Sequence, residues 1–249
     1  MKTYGLIGYP LGHSFSRGYF TDFFGRENID AEYKNFELPG IEKLGEVMSS
    51  ESTLQGFNVT IPYKQQVFAY LDELDEAAQA IGAVNVVKVS RHDGKTHLKG
   101  YNTDHIGFAD SIRPYLKPQH THALILGTGG ASKAVDYALR QMGLKTLFVS
   151  RTAREGIISY EELTPELMAQ HTAIVNTTPL GMHPKVDECP PLDYTQLTPD
   201  HLLYDVVYNP EKTLFLQHGE EHGATICNGM DMLIGQAKAA WRIWNDQQF

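Results

Sequence analysis

Apolar positions fall in short blocks along this chain, and the spacing inside each block separates strands from helices. Residues 4–7 form a compact apolar run that predicts a strand, and residues 15–28 carry aromatics at helical spacing, broken by glycines. A weak strand over 31–36 and a helix near 41–48 follow. The strand expected over 55–61 is rich in β-branched side chains, which suit a pleated surface. Pro62 stops it, because proline cannot donate to a ladder. Helices are expected over 65–74 and 76–81, and a valine-rich strand over 83–89. Asp93-Gly94 is a hairpin signal, with 96–98 as the returning strand.

After Asn102-Thr103-Asp104 the pattern restarts with a helix over 106–116, ended by Pro118. A short apolar strand at 122–126 runs into a glycine turn at 127–130, then a helix at 131–142 with Gly143 as its stop, then a strand at 146–149. That is a βαβ unit of about the 30 residues such a unit needs. Further strands are expected at 173–176 and 203–206, a helix at 214–222 closed by Gly223, and a long last helix over 231–246. Strands alternating with helices predict an α/β protein whose mostly parallel sheets are covered on both faces. The boundary between the two segments falls near residues 102–107.

Composition narrows the classes of function. A length of 249 residues suits two domains of roughly 100–150 each, and 42% hydrophobic residues can build their cores. A net charge of -9 without a basic stripe argues against nucleic acid and favours a metabolic enzyme. Cys189 and Cys227 sit in no metal or disulfide pattern, which fits a reducing, cytoplasmic setting. No uncharged apolar run approaches the ~18 residues of a membrane span. Monomer and homodimer both stay open.

The stretch Leu124 to Ala134 reads LILGTGGASKA. A strand enters Gly127 and a helix leaves Gly130, so unpaired N–H groups and a partial positive charge are available to a pyrophosphate. Ser132 stands where a third glycine would complete the usual fingerprint. About 20 residues on, an NAD enzyme has a carboxylate for the ribose hydroxyls. This chain has Ser150, Arg151, Thr152 and Arg154 there, hydroxyls and guanidinium groups that suit a 2′-phosphate. NADP is therefore the expected cofactor.

Polar residues gather at strand ends in the first segment: His13, Ser14 and Ser16, then Asn58, Thr60 and Lys64, then Asn85, then Asn102, Thr103 and Asp104. Ligands of open α/β sheets bind beyond the carboxyl ends of strands, and this set suits a polyhydroxylated, acidic small molecule. Singly, each has a plainer use. Ser14 or Asp104 can cap a helix, Asn85 can satisfy backbone in a strand, and Lys64 can be solvated.

These stretches resemble the shikimate dehydrogenase family. The resemblance rests on His13-Ser14-x-Ser16, Asn58 to Lys64, Gly82-Ala83-Val84-Asn85, Asn102-Thr103-Asp104, Gly127 to Ser132, and Asn228-Gly229-x-x-Met232-Leu233, in the family's order. It implies NADPH-dependent, reversible reduction of 3-dehydroshikimate to shikimate, a step of chorismate and aromatic amino-acid biosynthesis. It implies a substrate-binding catalytic domain of residues 1–103 plus 229–249 and a Rossmann-like NADP domain of residues 104–228, with the C-terminal helix returning to the first domain. Lys64 and Asp104 match the catalytic pair. Ser14, Ser16, Thr60, Asn85, Tyr208 and Gln236 match substrate contacts. Gly127, Gly129, Gly130, Ala131, Asn176, Thr177, Thr178, Gly229 and Met232 match cofactor contacts, beside the Ser150 to Arg154 clamp. Arg17 departs from the family's proline and His105 from its glycine. Arg151 and Arg154 stand one residue closer than usual.

Hydride reduction of a ketone leaves charge on oxygen, which a cation stabilises and an acid protonates. Lys64 is suited to either role, with Asp104 orienting it and accepting from a substrate hydroxyl. Rivals are a quinate/shikimate dehydrogenase that uses NAD and, from another class, a non-catalytic nucleotide sensor. His218-Gly219-Glu220-Glu221-His222 matches a zinc-protease pattern, but a solvated helix end is the better reading and no metal is expected.

Overall fold

The computed structural model describes residues 1–12 and 14–247; the expectation at His13 lies outside them. The chain divides into two compact units, Met1–Thr103 with Ala237–Phe249, and Asp104–Gln236.

The first unit contains β1 (Lys2–Gly8), α1 (Phe15–Arg26), β2 (Ala31–Glu37), α2 (Leu44–Ser50), β3 (Leu54–Val59), β4 (Glu73–Leu74), α3 (Glu76–Ile81), β5 (Val86–His92) and β6 (Lys95–Tyr101). They build a six-stranded sheet in the order β2-β1-β3-β5-β6-β4. β1 is parallel to β2 and β3, and β4 to β6, whereas β5 is antiparallel to β3 and β6. Side chains alternate across the sheet. Tyr4, Leu6 and Val86 pack with Phe20 of α1 and Ile243 and Trp244 near the chain's end, while Ile7, Phe57, Val59 and Val87 join Leu44 and Val67. Both faces are thus buried, at about 1.5–3 kcal/mol for each large apolar side chain removed from water.

Local chemistry sets the element ends. Ser14 caps α1 by accepting from the Arg17 amide at 3.2 Å, and Asp75 caps α3 from the Ala78 amide at 2.9 Å. The β5–β6 hairpin turns on Asp93 and Gly94 at φ 51° and 73°, the left-handed pair such a turn requires.

The second unit contains α4 (Asp104–Ile112), β7 (His122–Leu126), α5 (Gly130–Gln141), β8 (Lys145–Ser150), β9 (Ile157–Ser159), α6 (Pro165–Gln170), β10 (Ala173–Asn176), β11 (Leu202–Asp205), α7 (Leu214–Glu221), β12 (Thr225–Cys227) and the start of α8 (Met230–Trp244). Its sheet runs β12-β11-β10-β7-β8-β9 with every recorded pairing parallel. That is the doubly wound Rossmann order, with its switch point between β7 and β10. Ala123 and Ile125 face a core with Phe108, Val135 and Met232; Leu124 and Leu126 face one with Phe215 and Leu216.

Several elements differ from expectation. The helix expected over 65–74 is a 3-10 turn, Gln66–Tyr70, followed by β4. The segment bonds to β6 instead, with the Asp72 amide donating to the Leu98 carbonyl at 2.9 Å and its carboxylate accepting from the Leu98 amide at 2.7 Å. The strand expected from residue 83 begins at Val86; the Ala83 carbonyl accepts from the Asn102 side chain and the Val84 amide donates to the Lys64 carbonyl instead of to a neighbouring strand. The helix expected over 106–116 begins at Asp104 and tightens into a 3-10 turn, Arg113–Tyr115, at Pro114. β9, α6 and β12 were not expected. The contact division falls inside α8, after Gln236, where the sequence reading divides the chain ahead of the helix.

Candidate active site

The mixed sheet of the first unit explains why its polar residues converge. β1 and β3 end at Gly8 and Val59, and the Thr60 amide donates to the Ile7 carbonyl at 2.9 Å. β5 runs the other way, so its start lies at that same end: Val86 pairs with Asn58 and with Tyr101, the last residue of β6. Residues 58–64, 84–86 and 101–103 therefore share one edge of the sheet.

Val84 and Asn85 form the hub of that edge. The Val84 amide donates to the Lys64 carbonyl at 2.8 Å, and the Asn85 carbonyl accepts from the Val59 amide at 2.8 Å. The Asn85 side chain accepts from the Thr103 amide at 2.7 Å and donates to the Thr103 hydroxyl at 3.0 Å. Asn102 donates to the Ala83 carbonyl at 2.9 Å. One dipeptide thus holds the loop that carries Lys64 and the backbone immediately ahead of Asp104. Asn85, Asn102 and Thr103 are buried, whereas Ser14, Ser16, Thr60 and Lys64 are partly exposed. The Ser14 hydroxyl serves as the cap of α1, the plainer use weighed above.

The sequence did not single out Tyr33 on β2. Its hydroxyl donates to Asn58 Oδ1 at 2.7 Å, and burial raises its phenol well above the ordinary range. The Tyr63 hydroxyl bonds to the Leu38 carbonyl and ties down the loop beside Lys64.

In the second unit the glycine turn lies at the switch point. Gly127 has φ 102° and its amide donates to the Val149 carbonyl at 2.8 Å, which sets the turn beside Ser150. A Cβ at Gly127 would stand 2.9 Å from Thr178 Cγ2 and 3.0 Å from Thr177 Oγ1, so only glycine fits. Gly129 is the cap residue of α5 and offers no side-chain bond, and a Cβ there would meet nothing within 4 Å. With Gly130 and Ala131 it leaves helix amides and open space, a fit for a pyrophosphate. Ser132 is buried and donates to the Gly129 carbonyl at 2.6 Å, a structural use for the residue at the third-glycine position.

Arg151, Thr152 and Arg154 are exposed on the loop after β8. Arg154 and Ile157 exchange backbone bonds at 2.9 and 2.8 Å, which closes that loop. The Arg151 guanidinium lies near enough to Tyr160 to oppose the rise of its phenol, which burial pushes up to about 12. Thr177 donates to the Leu126 carbonyl through its amide at 2.9 Å and its hydroxyl at 2.6 Å.

Other expected contacts have clear packing uses. Gly229 lies against the Val206 backbone, where any Cβ would collide with the carbonyl. Met232 is buried in the core of the second unit. A Cβ at Gly107 of α4 would stand 2.7 Å from the Gln236 amide of α8, and one at Gly235 would stand 2.9 Å from Gly107 Cα. That crossing fixes Asp104, one turn earlier on α4, and Gln236 on their helices; both are buried at 8% exposure. Tyr208 is half-buried on the loop after β11. His105 sets its ring edge-on to Tyr137 at 5.1 Å. His218 bonds to Glu221 at 3.3 Å and His222 to the His218 carbonyl at 2.8 Å, so that pattern closes on itself at a helix end.

The family model for the shikimate dehydrogenase substrate binding domain matches residues 6–87. A shikimate dehydrogenase (NADP(+)) of Bacillus cereus is 38% identical over 262 aligned positions, covering 98% of this chain and 92% of that one. The chain belongs to the shikimate dehydrogenase family. A shikimate 5-dehydrogenase structure from Thermus thermophilus, in complex with NADP(H) and shikimate, is 29% identical with a TM-score of 0.85, covering 99% of this chain and 94% of that one. Quinate dehydrogenase from Corynebacterium glutamicum, in complex with NAD, is 28% identical with a TM-score of 0.86, covering 98% and 94%. As in other shikimate dehydrogenases, the fold is α/β with a Rossmann-type dinucleotide domain. Among the described residues no helix is long and apolar enough to cross a membrane.

Proposed function

We propose that this chain reduces 3-dehydroshikimate to shikimate, reversibly, with NADPH. The observation that supports this best is the Val84–Asn85 hub, which ties the Lys64 loop and the Asn102-Thr103-Asp104 segment to one sheet edge. Bound NADPH supplies the hydride. Gly127, Gly129, Gly130, Ala131 and Thr177 would hold its pyrophosphate and nicotinamide ribose, with Gly229 and Met232 as further contacts. Ser150, Arg151, Thr152 and Arg154 would take the 2′-phosphate, where a carboxylate would repel it.

Lys64 holds its ammonium at the ketone oxygen, stabilises the charge that develops there and supplies a proton. Asp104 accepts from a substrate hydroxyl. Ser14, Ser16, Thr60, Asn85, Tyr208 and Gln236 hold the remaining hydroxyls and the carboxylate. Cys189 and Cys227 are free thiols, which suits a cytoplasmic enzyme.

The deciding experiment is a steady-state assay of shikimate and quinate, each with NADP and NAD. Highest kcat/KM for shikimate with NADP is expected. Preference for quinate with NAD would move the chain beside the Corynebacterium enzyme, and binding of NADPH without any turnover would leave a nucleotide sensor.

A further inference from the structure

Asp205 ends β11 and is fully buried, at 0% exposure. A carboxylate out of water is costly unless donors surround it. Its Oδ1 accepts from Asn176 Nδ2 at 3.0 Å and from the Val207 amide at 3.0 Å, and its Oδ2 accepts from the Thr213 hydroxyl at 2.6 Å. These donors are neutral, and burial pushes the carboxyl up to about 6. An apolar side chain would pack at this place with less penalty, so the reason for an acid lies in what it orients.

Asn176 stands opposite Asp205 in register on β10. Its amide has a donor end and an acceptor end, and a neighbour of fixed polarity decides which way it faces. Asp205 only accepts, so the NH2 end turns to it. The Asn176 carbonyl end then accepts from the Thr178 amide at 3.0 Å and the Thr178 hydroxyl at 2.6 Å. Thr178 accepts in turn from the Leu180 amide at 3.3 Å, and its methyl is the group that a Cβ at Gly127 would strike. Meanwhile the Val207 bond fixes the backbone beside Tyr208, and Thr213 caps α7 by accepting from the Leu216 amide at 3.4 Å.

We infer that Asp205 is a positioning residue for the dinucleotide: its acceptor oxygen sets the Asn176 amide, and that amide seats Thr177 and Thr178 against the glycine turn. This rests on the assignment of that turn to NADPH. The orienting depends on oxygen geometry rather than charge. Asp205→Asn keeps Oδ1 for Asn176 and Val207 and turns its NH2 to the Thr213 hydroxyl, which accepts as readily as it donates. Asp205→Ala removes the nearer acceptor and leaves the Asn176 NH2 only the Leu180 carbonyl, at 3.5 Å, so the amide is held less firmly.

The test measures NADPH affinity by fluorescence titration and by KM with 3-dehydroshikimate in wild type, D205A, D205N and T178V, each checked for folding by circular dichroism. D205A is expected to weaken NADPH at least ~10-fold, T178V at least ~3-fold, and D205N less than ~3-fold, as loss of one to two oriented bonds implies. The KM for the acid substrate is expected to change less than ~2-fold in D205N and T178V, which keep the bond to the Val207 amide. A folded D205A with wild-type NADPH affinity, or a D205N as impaired as D205A, overturns the inference. If D205A does not fold, T178V decides, since it leaves the buried carboxylate intact; unchanged affinity then overturns it. Wild type that binds NADPH but turns over no 3-dehydroshikimate sinks the proposed activity alone, and the titration still decides on Asp205. Wild type that binds no NADPH sinks both.

Discussion

Lys64 is anchored by its backbone rather than by its place in a helix or strand. Its carbonyl accepts from Val84 at 2.8 Å, and the neighbouring Tyr63 ring is buried with its hydroxyl on Leu38. Holding the stem limits where a long side chain can carry its charge, which offsets part of the entropy that lysine loses on being positioned. Lys64→Ala is expected to lower kcat at least ~100-fold while the KM for NADPH barely moves, the pattern of a group that acts in the transition state. Near-full turnover in that variant would remove Lys64 from the mechanism. Residues such as Lys64, Asn85 and Asp104 were legible in the sequence as candidates because polar groups stand out at strand ends. Asp205 and Tyr33 were not. An acid inside Leu-Leu-Tyr-Asp-Val-Val, or a tyrosine in a weak strand, shows its use only when the partner it orients is seen.

Strands and helices with strong internal signals were legible as elements, and those decided by neighbours were not. β7 matches its expected bounds because five consecutive residues, His122–Leu126, lie inside an apolar run that ends on a glycine turn. β9 and β12 span only Ile157–Ser159 and Thr225–Cys227, so an adjacent strand and not their own pattern makes them strands. The segment 65–74 has helical spacing, yet pairing of Asp72 with Leu98 outweighs it. The crossing of α4 and α8 is likewise invisible in the sequence, since by propensity alone a glycine in a helix is only a weak point. Gly107 and Gly235 are contact points. Gly107→Val is expected to lower stability by about 1–3 kcal/mol or more, because its Cβ meets backbone that no rotamer change can move. Gly18→Ala in α1, where a Cβ meets nothing within 4 Å, is expected to raise it by ~0.5–1 kcal/mol. Thermal melts of the two variants check both signs, and equal shifts would remove the crossing as a constraint.

For the molecule as a whole, acid acts in opposing directions on its buried groups. Burial holds His120 and His171 below the ordinary imidazole range, and each is 5% exposed. Below pH ~6.5 the unfolded chain takes up protons that the folded one refuses, so stability falls as pH falls. Asp205 runs the other way. Its folded carboxyl is raised from 3.8 to about 6, so the penalty for burying its charge is present above that pH and is relieved on acidification. The melting temperature is expected to drop from pH 7.5 to 5, and more steeply in D205N, which lacks the compensating carboxyl. Parallel curves for the two proteins would contradict this. A last consequence concerns synthesis. The second unit, Asp104–Gln236, is one unbroken stretch, but the first needs Ala237, Ala240, Ile243 and Trp244 to close over Tyr4 and Phe20. Trp244 also donates to the Val87 carbonyl at 3.0 Å and lies against Gly56. Until the last turns of α8 have been synthesised, the first unit therefore lacks the side chains that cover Tyr4 and Phe20.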